Sequence, residues 1–350
     1  MPLAERTTLR LGGPAARFVH ATTAAELVEA VRTADASTEP VLLLGGGSNL
    51  VVADQGFPGT VVEVATKGHR SDPLGNGIVQ FTVEAGEDWD SVVAESVAQG
   101  LGGLECLSGI PGLVGATPVQ NVGAYGVEIA QVLQSVDLLD RRTGKVHQVP
   151  AAKLGLAYRT SVLKGTDNAV VLRTRFALTT GGMSAPIRYA ELARTLGVDQ
   201  GERVPADAAR KAVLELRRGK GMVLDATDHD TWSAGSFFTN PIVDDATFNG
   251  VLIRIAQVLG ADVDVPTYPA GPGHRKLSAA WLIERAGFRK GHQGPGGRVA
   301  LSSKHTLALT NRGGATTEDL LDLAREVRDG VRAAFGVELH PEPVFIGCSL

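Results

Sequence analysis

The residues best suited to chemistry stand in two glycine-rich stretches. Leu44-Gly45-Gly46-Gly47-Ser48-Asn49-Leu50 joins one short apolar run to another. Glycines leave backbone N–H groups uncovered and reach positive φ without strain, so such a loop can curl into a nest for an anion. Ser48 and Asn49 add side-chain donors suited to phosphate oxygens. An isolated glycine triplet is more often a plain tight turn, and this one is neither familiar nucleotide loop. Leu50 stands where a dinucleotide fingerprint has its third glycine, no helix start follows, and the Gly-Lys-Ser/Thr of a P-loop is missing. The second stretch is less ordinary: Ser108-Gly109-Ile110-Pro111-Gly112-Leu113-Val114-Gly115-Ala116-Thr117-Pro118-Val119-Gln120-Asn121-Val122-Gly123-Ala124-Tyr125-Gly126. So many small residues in one span let a flat ring system or a pyrophosphate lie directly against the backbone. Close packing between lobes accounts for some of these glycines but hardly for all of them with Asn121 in between.

The elements that must position these stretches are legible from local signals. Thr23 followed by Glu26 reads as a capping box for a helix through Leu27, Val28 and Val31. Residues 41–44, 60–64, 79–83, 136–139 and 169–178 read as strands. In the last of these Leu172, Thr174 and Phe176 alternate with Val171, Arg173 and Arg175, as on a half-exposed sheet. Helical patterns cover 87–98, stopped by Gly100, then 206–218 and 277–286. A last long helix starts at Thr316 or Thr317, places Leu320, Leu323, Ala324, Val327 and Val331 on one face, and stops at Gly336. Residues 219–275 read as loop-rich, with a boundary near 219–221. The class is α+β in two or three lobes.

Composition narrows the function. The 350 residues are 43% hydrophobic and 21% charged, ordinary for a globular chain of that length. The formal net charge of −4 is spread along the sequence, which argues against bulk electrostatic binding of nucleic acid. An anionic ligand must then be held by a few placed cations and amides. Two cysteines, Cys106 and Cys348, suit a reducing compartment rather than a disulfide scaffold. No apolar stretch approaches a membrane span, and residues 1–10 do not read as a signal peptide, so a cytoplasmic location is expected. The histidines fall into no metal-ligand spacing, so no metal site is expected.

With these residues quoted, a resemblance becomes specific. The two glycine stretches resemble the flavin-binding region of the vanillyl-alcohol-oxidase/PCMH-type FAD fold. Thr8-Leu9-Arg10-Leu11-Gly12-Gly13-Pro14-Ala15, both stretches, Tyr158-Arg159-Thr160-Ser161, Ala234-Gly235-Ser236-Phe237-Phe238-Thr239-Asn240-Pro241 and the closing 339–347 are together similar to the UDP-N-acetylenolpyruvoylglucosamine reductase family. The resemblance runs over nearly the whole chain. It implies an FAD-binding region at 1–219 in two lobes, a smaller α+β substrate domain at 220–319, and a C-terminal helix and tail at 320–350 that return to the active site. It also implies non-covalent FAD, NADPH as hydride donor, and a reaction in two halves. NADPH reduces the flavin, which then passes hydride to the enolpyruvyl double bond of a UDP-sugar to make UDP-N-acetylmuramate for peptidoglycan. The partners are small molecules, and a monomer or weak dimer is expected.

Residue roles follow from that reaction. Hydride arriving at the terminal methylene leaves negative charge on the neighbouring carbon, spread into the carboxylate, and cations or acids must sit where it develops. The resemblance places Arg159 on this carboxylate, although a lone arginine at a strand end is more often a solvated one. A guanidinium offers a fixed fork and cannot lose its charge. By the same resemblance Ser236 is the proton donor to the substrate carbon. Glu342 is the acid beside the carboxylate, useful there only if protonated. Here the chain departs from the family, which often has an acidic residue at the position of His340 and Val at that of Pro343. Gly45, Gly46, Gly47, Ser48, Asn49, Leu50, Ser108, Gly109, Ile110, Gly112, Gly115, Thr117, Asn121, Gly123, Ala124, Tyr125 and Gly126 are implied to hold the cofactor. Lys220, Asn240, Lys276 and Gln293 are candidates for diphosphate and sugar. Tyr189 resembles the tyrosine of a loop that closes over the nucleotide sugar in one branch of the family. Cys106 and His69 lie outside the glycine stretches, so a buried thiol and a solvated imidazole are expected rather than covalent flavin links. An FAD oxidase of the same fold and an inactive nucleotide-sugar sensor are the competing readings. Neither needs Arg159, Ser236 and Glu342 together.

Overall fold

The short apolar runs punctuated by glycine become strands, in a computed structural model that describes residues 1–37 and 39–350. The chain folds as two compact units. Met1, Ala15–Gly47 and Phe57–Val223 make the first; Pro2–Pro14, Ser48–Gly56 and Leu224–Leu350 make the second. The chain thus leaves the first unit right after Gly47, in the middle of the first glycine loop.

In the first unit, Ala15–Ala21, Phe57–Val64 and Val41–Leu44 form a parallel sheet in that spatial order. Helix Ala24–Ala36 covers it, with Leu27 and Val31 packed on Ala21 and Val62. Its capping box is present: the Thr23 hydroxyl accepts the Glu26 amide at 3.2 Å, and Glu26 accepts the Thr23 amide at 3.2 Å. A five-stranded antiparallel sheet runs Lys145–Pro150, Leu133–Asp140, Ala169–Thr179, Ile78–Glu84, His69–Gly75. The outward Arg175 pairs with both carboxylate oxygens of Asp137 at 2.8 and 2.9 Å, while Thr174 and Phe176 are buried. Val171 was expected to face outward and is buried instead, because the register shifts between Val171 and Arg173. Beneath the sheet Trp89 opens helix Trp89–Ala98, meets Phe176 edge-on at 5.9 Å and donates its indole N–H to the Leu107 carbonyl at 3.0 Å.

In the second unit, Leu50–Val52 pairs in parallel with the C-terminal strand Val344–Ile346. Helix Thr317–Phe335 buries Leu320, Leu323, Ala324, Val327 and Val331 and ends at Gly336 in the left-handed conformation. It shares one core with Leu9, Val51, Phe237, Phe238 and Leu282, so residues 320–350 carry no separate core. The stretch 219–275 holds more than loops: strands Ile242–Asp244, His274–Leu277 and Thr267–Pro269 form a small sheet beside helix Asp245–Leu259. That helix was hidden from a pattern reading because Gly250 interrupts it and Ile253 and Val258 are exposed, which blurs the apolar face. Leu277 ends a strand, and the helix expected from there begins at Ala279 behind Ser278, which accepts the Trp281 amide.

The N-terminus of helix Thr317–Phe335 yields a testable stability term. Asp319 closes the capping box with Thr316 and also takes Arg298 at 2.9 and 2.5 Å. The Arg298 guanidinium and the Thr316 amide hold the Asp319 carboxyl at about 2, against an ordinary 3.8. A carboxylate with a depressed folded-state pKa stabilises above the unfolded value and loses that contribution as pH falls towards about 2. Arg298 is half-exposed, so solvent screens the pair. Asp319→Ala should therefore cost about 1 kcal/mol, a fall of roughly 2–4 °C in Tm. Thermal melts should show the deficit at pH 7 and its disappearance between pH 4 and 2; a deficit independent of pH would refute the electrostatic origin.

Candidate functional site

In the first unit the two glycine stretches lie against each other. A Cβ on Gly46 would fall 2.8 Å from the Cα of Gly112, so only glycine permits that approach. Gly109 has φ +70°, and its amide donates to Asp90 at 2.6 Å. Burial would raise the Asp90 carboxyl, but Arg210, bound at 2.5 and 3.0 Å, and the Gly109 amide hold it below the usual range. Beside Gly109 stands a residue that the sequence reading did not single out. The Arg217 guanidinium is buried, which pushes its pKa down, and Nη2 donates to the Met222 carbonyl at 2.8 Å. Its buried Nε has no hydrogen-bond partner and lies 3.3 Å from where a Gly109 Cβ would be. A buried donor left open at a glycine surface is ready for an acceptor on a ligand. Only a regular helical pattern surrounded Arg217 in the sequence, so no local signal could have flagged it.

The second glycine stretch also bonds to the turn of Arg159. Ala157 and Thr160 exchange backbone bonds at 3.1 Å, closing a turn in which Arg159 sits at φ +54°, a conformation that favours glycine. Asn121 Nδ2 donates to the Ala157 carbonyl at 3.0 Å and to Glu128 at 2.9 Å, and its Oδ1 accepts the Ala130 amide at 3.0 Å. Arg159 Nη2 donates to the Gly123 carbonyl at 2.9 Å, and Lys164 donates to the Arg159 carbonyl at 2.8 Å. Asn121 is fully buried, and these bonds within the unit use its side chain to hold the turn of Arg159. Ser108 and Thr117 likewise bond to the Glu105 and Val114 carbonyls. Tyr125 meets Tyr189 edge-on at 5.4 Å, and Lys220 pairs with Glu191 at 2.6 Å, two residues past Tyr189. Burial would lower the Lys220 ammonium, yet Glu191 and the tyrosines leave it raised.

In the second unit the C-terminal tail folds back. Residues 237–239 run antiparallel to 340–342: Glu342 donates its amide to the Phe237 carbonyl at 2.9 Å, and Thr239 donates to the His340 carbonyl at 3.0 Å. Val344 then donates to the Asn49 carbonyl at 2.9 Å, and Asn49 Nδ2 donates to the Glu342 carbonyl at 3.4 Å. Glu342 is thus tied to the residue that follows Ser236, and the end of the first glycine loop lies beside Glu342. The departures at His340 and Pro343 fall on positions that this ladder uses through the His340 carbonyl alone, so neither side chain is needed for it. Phe237 and Phe238 are buried and meet edge-on at 5.1 Å, which leaves the intervening backbone fixed and Ser236 half-buried.

The candidate sugar-binding residues divide. Asn240 accepts the Ala279 amide through Oδ1 at 3.0 Å, and Lys276 pairs with Ile242 and lies 5.9 Å from the Tyr268 ring, so these two share one corner. Exposed Gln293 bridges to Ala300 on the hairpin Val299–Leu301/Leu309–Asn311. Cys106 is buried, and burial and the Glu105 carboxylate push its thiol up to about 12, so it is no thiolate at neutral pH. His69 is exposed. Among the described residues no group of His, Cys, Asp and Glu is arranged to hold a metal, and no helix is long and apolar enough to cross a membrane.

Comparison with known proteins assigns both units. Residues 15–150 match an FAD binding domain, and residues 226–346 match the C-terminal domain of UDP-N-acetylenolpyruvoylglucosamine reductase. The class defined by fold and site is an FAD-dependent oxidoreductase of the PCMH-type fold. The chain is 70% identical over 348 residues to the UDP-N-acetylenolpyruvoylglucosamine reductase of Saccharopolyspora erythraea, covering 99% of this chain and 95% of that one. It is 57% identical to the reductase of that name from Thermobifida fusca, over 100% and 98% of the two chains. The crystal structure of the Thermus caldophilus reductase covers 99% of this chain and 97% of its own with a TM-score of 0.66 at 26% identity. The chain belongs to the UDP-N-acetylenolpyruvoylglucosamine reductase family.

The residues present fit FAD. The glycine loop that packs through Gly46 on Gly112 leaves backbone amides uncovered by side chains, and the open Nε of Arg217 beside Gly109 adds a buried donor, which together suit a flat anionic cofactor. Gly46→Val should accordingly be purified colourless, because its side chain must push the second stretch away. Flavin absorbance per folded protein, with folding checked by circular dichroism, measures this; a full complement of flavin would sink it.

Proposed function

We propose that this chain reduces the enolpyruvyl group of UDP-N-acetylglucosamine enolpyruvate to UDP-N-acetylmuramate with NADPH, serving peptidoglycan precursor synthesis. When bound, FAD would supply hydride transfer from NADPH to the enolpyruvyl methylene, with the two glycine stretches and Arg217 holding it. Ser236 protonates the neighbouring carbon. Glu342 presents a neutral acid to the charge that grows on the substrate carboxylate. Arg159 meets the same charge with a permanent one. Its strained left-handed backbone costs about 1–3 kcal/mol, a cost that persists where function demands it. Tyr189, Lys220, Asn240, Lys276 and Gln293 hold the nucleotide sugar, and Lys220 exchanges Glu191 for a phosphate oxygen when substrate binds. The first unit carries the cofactor, bound without a covalent link, and the protein works in the cytoplasm as a monomer or weak dimer without nucleic acid.

The observation that supports this reading is the bond from the Glu342 amide to the carbonyl of Phe237, the residue after Ser236, which joins segments more than a hundred residues apart in sequence. Two spectra test it. NADPH should bleach the yellow protein, and the enolpyruvyl substrate should restore the colour without oxygen. Colour that returns only with oxygen would make the chain an oxidase. Denaturation should release all the flavin.

A further inference from the structure

We propose that His305 positions Ser236 by donating a hydrogen bond to its Oγ, an inference that rests on Ser236 being the proton donor. Ser236 Oγ lies 3.4 Å from His305 Nε2. Catalytic hydrogen bonds are often long before substrate binds and tighten in the complex. His305 belongs to the connection between strands Val299–Leu301 and Leu309–Asn311, and that connection is braced along its length. The Leu307 carbonyl accepts the Phe237 amide at 2.7 Å, which ties the connection to the residue after Ser236. The Ser302 hydroxyl accepts the His305 amide at 3.2 Å. Asp230 accepts the Ser303 amide and hydroxyl at 2.9 and 2.5 Å, and Lys304 pairs with Asp228 at 2.5 Å. A surface loop has no need of so many fixed points. A ring that must meet one hydroxyl does.

The chemistry assigns the direction of the bond. Ser236 must aim its proton at the substrate carbon, so its Oγ accepts and His305 Nε2 donates. In the step itself the Oγ–H bond breaks, a C–H bond forms on the substrate, and the O–H electron pair stays on Oγ. The alkoxide is then held by the His305 N–H until a solvent proton restores the hydroxyl. A serine hydroxyl is a poor acid in water, and a donor placed on the developing oxyanion is the remedy that proteins use, at about 10²–10³-fold in rate per donor.

The test uses the full-length holoenzyme in stopped flow, with each half-reaction followed by flavin absorbance. His305→Ala should be reduced by NADPH at the parent rate and reoxidised by the enolpyruvyl substrate about 10²-fold more slowly. His305→Gln, which keeps an N–H donor, should recover most of that loss, and substrate affinity should be unchanged in both. In a Ser236→Ala background, His305→Ala should add nothing, because the proposed effect on proton donation runs through the serine. Additive losses, parent-rate reoxidation in His305→Ala, or equal slowing of both half-reactions would each overturn the proposal. If Ser236→Ala itself reoxidised at the parent rate, the proton-donor reading would fail instead; a slow Ser236→Ala beside a normal His305→Ala would remove the histidine alone.

Discussion

Ser236→Ala should accept hydride from NADPH as fast as the parent protein and then hold it, its reoxidation by substrate slowed about 10²–10³-fold. The variant removes one hydroxyl from a half-buried position whose neighbours, Phe237 and Phe238, are anchored in the core. Folding and flavin content should therefore be unaffected. The two half-reactions place different demands on the protein. Taking hydride from NADPH needs no proton donor to a substrate carbon, whereas saturating the enolpyruvyl group does. A loss confined to the second half is the signature of a donor, and turnover at the parent rate would exclude Ser236 from that role.

Glu342 is expected to show a graded loss in the same half-reaction. On the proposed mechanism, hydride delivery puts a second negative charge beside an existing carboxylate, which a single cation would compensate only in part. A neutral acid adds a hydrogen bond there without repelling the bound substrate. Glu342→Gln keeps a donor but has no proton to release, so it should lose roughly 10-fold, against about 10²–10³-fold for Glu342→Ala. The backbone bond from Glu342 to Phe237 survives both changes, which keeps the tail in place. Reduction by NADPH should stay near the parent rate in both variants. Equal losses in the two half-reactions would mark a folding defect and end the catalytic assignment.

Much of the fold was legible because its causes are local. The capping box at Thr23, the helix start at Thr316 and the stop at Gly336 stand where the local sequence placed them, since a cap satisfies amides within its own first turn. Cys106 and His69 are buried and exposed as their surroundings suggested. Other features were hidden. Helix Asp245–Leu259 lacked a clean apolar face, and Val171 turned inward at an irregularity that pairing alone creates. Asn121, implied by the resemblance to hold the cofactor, also bonds through its side chain to the turn of Arg159, a contact that no local pattern announces.

The sequence by itself determined which chemistry this chain can hold: two glycine surfaces for a flat anionic cofactor, a permanent cation, a hydroxyl and a carboxyl. Motif and residue type carry that information one position at a time. Only the tertiary structure decided who stands beside whom. It seated the tail on Asn49, set Glu342 next to Phe237, left the Arg217 Nε open at Gly109, and brought His305 to Ser236. None of these pairs is close in sequence. Each exists because remote apolar residues, such as Val51, Phe237, Leu309 and Leu339 in one core, must leave water together and carry their polar neighbours with them.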